Sequence, residues 1–373
     1  MKLISIIPQA RPTCVEISLG NLRHNFRVVK NKVGNNIKVL AVVKANAYGH
    51  GLVPVSQTLV DMRIDYFGVA MLEEALLLRN AGIKTPILIF GPTPCEFAEQ
   101  VVQADLCQAL FARDLAQGLA QAARKLKKKA RVHVKVDTGM GRFGYYPENA
   151  RRFIMDMARL EGVVIEGIYS HFPSMFSLEP DYTSGQLADF RRLLADLVDA
   201  GCGSGLRHMA NSMAIMDYPD SYLDMVRAGC ILYGLPQFEG SFKPVMTLKT
   251  KVLYVKDCPK GKYVGYGLKF RTSKDAKIAV LPIGYADGLP RALSNRGQVL
   301  IKGRRFPVVG NICMDHTMVD VGQHAVKNGE EAVIMGRQGR DEITAKEIAD
   351  CLGTFENEIV TRISERVPRI YRE

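Results

Sequence analysis

Hydrophobic and polar residues follow two different periods along this chain. Between residues 37 and 229, short apolar runs recur and read as strands at 38–43, 66–70, 86–90, 107–111, 131–137, 165–170, 206–210 and 225–229. Longer stretches between them, in which apolar residues return every three or four positions, read as helices at 52–62, 72–81, 95–104, 113–128, 148–160 and 184–200, with a shorter one at 212–216. A further helix, 19–33, precedes the first strand. Apolar strands alternating with amphipathic helices indicate a parallel sheet covered by crossover helices. Eight such strands within about 240 residues predict an α/β fold of the closed (β/α)8 TIM-barrel type rather than an open doubly wound sheet.

The pattern changes after Gly234-Leu-Pro236. From Val245 onward come short alternating segments (245–256, 277–283, 298–302, 305–310 and 316–320) broken by glycines, prolines and charged turns. They predict a mainly antiparallel β-domain. Thr344 followed by Glu347 predicts a capped helix over 345–352. Two domains are therefore expected, a barrel over 1–240 and a C-terminal β-domain over 241–373, linked near 235–244. A chain of 373 residues is also too long for one ordinary core.

Composition narrows the function classes. With 47% hydrophobic and 24% charged residues the chain reads as soluble and globular. No apolar run approaches the roughly 20 residues of a membrane span, and the N-terminus lacks the pattern of a signal peptide, so a cytoplasmic protein is expected. The eight cysteines are scattered without a C-x-x-C pair, which argues against a zinc site and against a disulfide framework. A net charge of +12 raises the question of nucleic acid. The only dense basic run, Arg124 to Lys129, lies at a helix end, where charge is ordinarily solvated, and no recognition motif accompanies it. The same charge serves a small anionic ligand.

Polar residues of chemical interest fall just after strands, where a (β/α)8 barrel builds its active site. Lys44 and Tyr48 follow the first strand, Asp137-Thr-Gly-Met-Gly-Arg142 the fifth, and His171 the sixth. Asn211-Ser212 follows the seventh, and Arg227-Ala-Gly229 ends the eighth. Lys44 closes the apolar run Ile37–Val43. An amine at the mouth of an apolar site loses stability as ammonium and becomes nucleophilic enough to hold a carbonyl cofactor as a Schiff base. A lone strand-end lysine otherwise reads as a snorkelling cap. Tyr48 offers a hydroxyl to a phosphate on such a cofactor. Asn211-Ser212 is equally a turn, a helix cap and an anion site at a helix start.

Nine motifs carry a resemblance to the bacterial alanine racemases, fold-type III enzymes that use pyridoxal 5′-phosphate (PLP). They are A-V-V-K-A-N-A-Y-G-H-G (41–51), K-V-D-T-G-M-G-R-F-G (135–144), I-E-G-I-Y-S-H-F (165–172), H-M-A-N-S (208–212) and V-R-A-G-C-I-L-Y-G (226–234). V-G-Y-G (264–267), P-I-G-Y-A-D-G (282–288), V-G-N-I-C-M-D (309–315) and R-V-P-R-I-Y (366–371) complete the series, in family order across nearly the whole chain.

The resemblance implies that Lys44 carries PLP and acts as one of two bases. Tyr266, supplied by the partner subunit of a homodimer, is the other, and His171 supports it. It implies that Arg227 faces the pyridine nitrogen and is oriented by His208. Tyr48, Ser212 and backbone amides near Gly229 and Cys230 bind the phosphate, with Asn211 beside them. Arg142 and the partner's Met314 N–H would hold the substrate carboxylate, Lys135 matches a family lysine that can be carbamylated, and Tyr285 would line the access route. Asp287 is expected to hold a turn, and Cys313 to pack. The implied reaction is interconversion of L- and D-alanine, supplying D-alanine for peptidoglycan. Two departures bear on specificity: Glu365 stands where some relatives carry a tyrosine, and Pro173-Ser-Met-Phe176 replaces smaller or acidic residues. Alternatives are a racemase for serine or a broader set of amino acids, a PLP-homeostasis protein, and a fold-type III decarboxylase. The second of these lacks a β-domain, and the third is disfavoured by Arg227 opposite the pyridine nitrogen.

Overall fold

The computed structural model describes residues 11–174, 181–203, 205–235 and 241–373. Strands are numbered along the chain. β1 (Cys14–Ser18) belongs to the second of two compact units, and the first unit holds residues 23–47 and 51–232.

That first unit is the expected barrel. β2 (Lys38–Val42), β3 (Tyr66–Val69), β4 (Ile87–Ile89), β5 (Cys107–Leu110), β6 (Ala130–Lys135), β7 (Val163–Tyr169), β8 (Leu206–His208) and β9 (Met225–Ala228) form one sheet in the order β8-β7-β6-β5-β4-β3-β2-β9, every pair parallel. The ends are joined by Asp224 N donating to Arg207 O and Arg227 N to Ala210 O, each at 3.0 Å. β3, β4, β5 and β9 are buried along their whole length, which is why they read as apolar runs without alternation. Leu40, Phe67, Leu88 and Ile89 are fully buried, each worth roughly 1.5–3 kcal/mol against exposure. Gly68 is required by packing, because a Cβ there would lie 2.5 Å from the Phe90 ring.

The covering helices follow their apolar period. In the helix Arg113–Leu126, Leu115, Ala116, Leu119, Ala120, Ala122 and Ala123 are buried. It ends at Lys127 in the left-handed conformation, φ 54°. In the basic run at this helix end, Lys125 pairs with Glu99 at 2.7 Å and Lys128 caps the Gln103 carbonyl at 2.9 Å, as expected of solvated charge.

The second unit comprises the described residues up to Leu22, residues 48–50, and the described residues from Tyr233 on. Its strands are β10 (Met246–Lys251), β11 (Tyr254–Cys258), β12 (Ala276–Leu281), β13 (Gln298–Ile301), β14 (Arg304–Pro307), β15 (Thr317–Gly322), β16 (Glu331–Gln338), β17 (Asp341–Ile343) and β18 (Arg369–Arg372). They build a sheet ordered β14-β13-β16-β10-β1-β18, with β17 on β16, and a smaller sheet β11-β12-β15. All pairs are antiparallel except β1 with β18. The segment 245–256, read as one strand, is two strands in different sheets, divided at Val252-Leu253. β1, β16, β17 and β18 are additional to the strands expected from the sequence, although β16 carries the apolar run Ala332-Val-Ile-Met335. β1 becomes a central strand only through distant partners, β10 and β18. The helix Ala345–Leu352 starts as predicted, with Thr344 Oγ1 accepting from Glu347 N at 3.0 Å. Among the described residues no helix is long and apolar enough to cross a membrane.

Candidate active site

Lys44 comes directly after β2, where Val43 N still donates to Gly68 O at 2.8 Å. The chain beyond it winds tightly. Ala45, Asn46, Ala47 and Tyr48 all have φ of 53–54° and form one left-handed helical turn. Each L-residue so placed costs roughly 1–2 kcal/mol, so the turn needs support from outside itself. The buried carboxylate of Glu74 supplies it, accepting from Ala45 N at 2.6 Å, Asn46 N at 3.4 Å and Ala70 N at 2.8 Å. Asn46 Oδ1 accepts from Leu52 N at 2.7 Å and closes the far side. Burial pulls the Lys44 ammonium down, Arg142 adds to this and Glu74 opposes it. Sequence patterning carries no hint of Glu74, which sits in an ordinary helix start.

Arg142 is presented by a loop wound around Asp137. One oxygen of Asp137 accepts from the N–H groups of Gly139, Met140 and Gly141 at 2.9, 2.7 and 3.2 Å, and the other from Arg142 N at 3.0 Å. Burial works to raise the Asp137 carboxyl, but these donors outweigh it and hold the group below its ordinary value. Lys135, at the end of β6, is 3% exposed, donates to Val136 O and lies 5.7 Å from the Tyr169 ring centre. Burial brings its amine down to about 7, with Asp137 opposing and Arg227 and Arg142 assisting.

Arg227, on β9, is buried among neutral partners. Nη1 donates to His208 Nδ1 at 2.8 Å. Nη2 donates to Ser170 O, His171 Nδ1 and Met209 O at 2.7, 3.0 and 2.9 Å. Its Nε–H has no hydrogen-bond partner among the described residues. Burial lowers the guanidinium to about 10, which leaves it charged at neutral pH. His171 is held neutral by burial and by the charges of Arg227, Arg142, Lys135 and Lys44. Because Nδ1 accepts from Arg227, the one proton of its ring sits on Nε2.

Ser212 begins the short helix Ser212–Asp217, and its Oγ accepts from Gly229 N at 2.9 Å. Asn211 is the N-cap: Oδ1 accepts from Met213 N and Ala214 N, both at 3.1 Å, and so supports Ser212. The mouth of the barrel thus gathers Lys44, Lys135, Arg142 and Arg227. The nearby carboxylates Asp137 and Glu74 are occupied by backbone donors, so the mouth suits an anionic ligand.

In the second unit, Tyr266, Tyr285, Arg291, Asn311, Met314 and Asp315 line a cleft of about 480 Å³. Tyr266 follows Gly265 (φ 76°) and is 74% exposed. Asn311 Nδ2 holds its carbonyl at 2.7 Å. Met314 O accepts from Ala286 N at 3.1 Å, while Met314 N has no partner among the described residues. Asp287 holds a turn, as its sequence context suggested: its carboxylate binds Arg11 and, at 2.9 Å, Gly284 N. Also in this unit, the Tyr48 ring lies 4.9 Å from that of Tyr233. Glu365 is exposed, and Met175 and Phe176 lie outside the described residues.

The family model described as "Alanine racemase, N-terminal domain" matches residues 17–237, and "Alanine racemase, C-terminal domain" matches residues 245–371. "Alanine racemase 2" of Caldanaerobacter subterraneus subsp. tengcongensis is 46% identical over 370 residues, covering 97% of this chain and 95% of that protein. Among solved structures, the alanine racemase of Clostridium difficile 630 superposes with a TM-score of 0.91 at 40% identity, covering 97% and 96% of the two chains. The alanine racemase of Bartonella henselae with covalently bound pyridoxal phosphate gives 0.88 at 29% identity, covering 97% and 99%.

Proposed function

Since the chain belongs to the alanine racemase family, we propose that it is a PLP-dependent isomerase interconverting L- and D-alanine, active as a cytoplasmic homodimer with shared sites. The residues at the barrel mouth fit that cofactor. Lys44 suits the carbonyl, the Ser212 hydroxyl, whose oxygen already accepts from Gly229 N, suits the phosphate, and the open Nε–H of Arg227 suits a ring nitrogen; Tyr48 and the Cys230 amide join the phosphate set by the family resemblance alone. The Bartonella relative carries covalently bound pyridoxal phosphate. Bound PLP supplies electron withdrawal that acidifies the substrate Cα–H.

This chain's own side chains do the rest. Arg142, with the partner's Met314 N–H, holds the substrate carboxylate. Lys44, its ammonium destabilised by burial, takes and returns the Cα proton on one face. Tyr266 of the partner does so on the other. A phenol of ordinary pKa about 10 is a poor base at neutral pH. The Nε2–H of His171 is the donor that stabilises its phenolate, and Arg227 locks His171 in that tautomer. Arg227 practically never releases a proton, so it leaves a ring nitrogen incompletely protonated and limits side reactions that need a stronger electron sink.

The observation that carries this reading is the half-buried Lys44 directly ahead of a strained turn, its ammonium destabilised beside Arg142. The test is chiral analysis after incubating PLP-loaded protein with L-alanine. D-Alanine approaching an equal mixture is expected, and its absence with cofactor bound overturns the assignment. A parallel incubation with L-serine separates the broader-specificity alternative. The D-alanine so formed would serve peptidoglycan synthesis.

A further inference from the structure

We propose that His133, which takes no part in the proton transfers, is a positioning residue: by accepting the Nε2–H of His208 it holds in place the ring whose Nδ1 receives Arg227. Its consequence for catalysis rests on the proposed racemase function; the hydrogen-bond logic does not.

The inference starts from the arginine. A guanidinium has only donors, so His208 Nδ1, 2.8 Å from Arg227 Nη1, must be an acceptor. The proton of neutral His208 is then on Nε2, 2.8 Å from His133 Nδ1. His133 Nδ1 must accept it, which puts the proton of His133 on its own Nε2. One fixed donor thus dictates both tautomers. Protonating either ring would set donor against donor, and the surroundings resist this. Burial holds His208 well below its ordinary value, with Arg227 adding, and brings His133 down to about 4.

The place is built for these rings. Both histidines are fully buried. Tyr169 stacks on His208 at 4.9 Å with the planes 2° apart. Residue 167 has to be glycine, since a Cβ there would lie 2.6 Å from His133 Nδ1. At the other end, His133 Nε2 has no hydrogen-bond partner among the described residues. Near the ring, Cys107, Glu166 and one of the two His133 nitrogens lie within 4.8 Å of one another. That group is poorly suited to a metal. Glu166 is clasped by Arg131 at 2.7 and 2.6 Å and receives Tyr66 OH at 3.3 Å, and burial keeps the Cys107 thiol protonated. Glu166 instead places a negative charge near the His133 ring without a hydrogen bond to it, so the hydrogen-bonded column runs Arg227, His208, His133.

The test uses full-length protein labelled with ¹⁵N-histidine, with and without PLP, and two substitutions. His133→Asn keeps an acceptor where Nδ1 stood; His133→Leu keeps bulk without one. Wild type and His133→Asn are expected to show His208 protonated on Nε2 only. In His133→Leu the Nε2–H of His208 is expected to lose its acceptor, seen as a shifted and faster-exchanging Nε2–H resonance, and kcat to fall about 10- to 100-fold, the scale of one buried unsatisfied donor, with KM changing less. His133→Asn should restore most of kcat. The proposal is overturned if the His208 Nε2–H resonance of His133→Leu matches that of wild type, or if both variants lose activity only in step with Tm. Should His133→Leu not fold, wild-type His208 found protonated on Nδ1, or on both nitrogens, overturns it alone. The tautomer readout needs neither cofactor nor turnover, so it stands or fails separately from the racemase assignment.

Discussion

Lys135 offers the sharpest quantitative test, because it is a nearly inaccessible amine whose penalty can be read as a slope. Its amine is brought from 10.5 to about 7, chiefly by burial. That difference corresponds to about 5 kcal/mol held against the ammonium form in the folded chain. Between pH 7 and 10.5 the unfolded chain binds this proton and the folded chain does not. Folding stability therefore rises with pH through that window, by about 1.4 kcal/mol per pH unit from this group. Between pH 7.5 and 9.5 the wild type should gain about 3 kcal/mol that Lys135→Met does not. The assay is urea unfolding followed by circular dichroism in CO2-free buffer, comparing the two proteins at each pH. Equal pH dependence in both would refute the argument. The same neutral amine is the form that adds CO2: a C–N bond forms, a proton leaves to solvent, and a carbamate anion results near Arg142. Added ¹³C-bicarbonate should therefore give a carbamate signal in wild type, absent in Lys135→Met, and flatten the wild-type slope.

Three further outcomes are expected. Lys44→Ala and Tyr266→Phe should each be nearly inactive in racemisation; after subunit exchange the mixture should recover about a quarter of wild-type activity, because each hybrid dimer has one intact site. No recovery despite exchange, verified by native mass spectrometry, would refute shared sites. Ala45 is exposed in the left-handed turn, so Ala45→Gly should stabilise the protein by about 0.5–1 kcal/mol, while Ala45→Val should destabilise it by about 2 kcal/mol or more, measured as ΔG in urea. His133 is brought down to about 4 by burial, below its unfolded value, so its contribution is intact above pH 6.5 and is lost as pH falls toward 4, up to about 3 kcal/mol. His133→Asn should flatten urea-unfolding stability over that range, and an unchanged profile would count against it.

The alternation of period along the chain was enough to establish the barrel, since strands buried on both faces and helices buried on one leave different marks in sequence. It also placed Lys44, Arg142, His171, Ser212 and Arg227 at strand ends, because chain order in a (β/α)8 barrel dictates which rim each reaches. The resemblance in motifs then attached chemistry to those positions. Partnership between distant residues left no such mark. Nothing local says that Glu74 accepts three backbone donors, that residues 45–48 coil left-handedly, or that His133 touches His208. β18 is a strand only because β1 lends it backbone donors and acceptors across more than 350 residues of sequence. Local periodicity reports what one segment buries. Strain, tautomer and the pKa of a buried amine depend on what other segments bring within a few ångströms, and only the folded structure decides that.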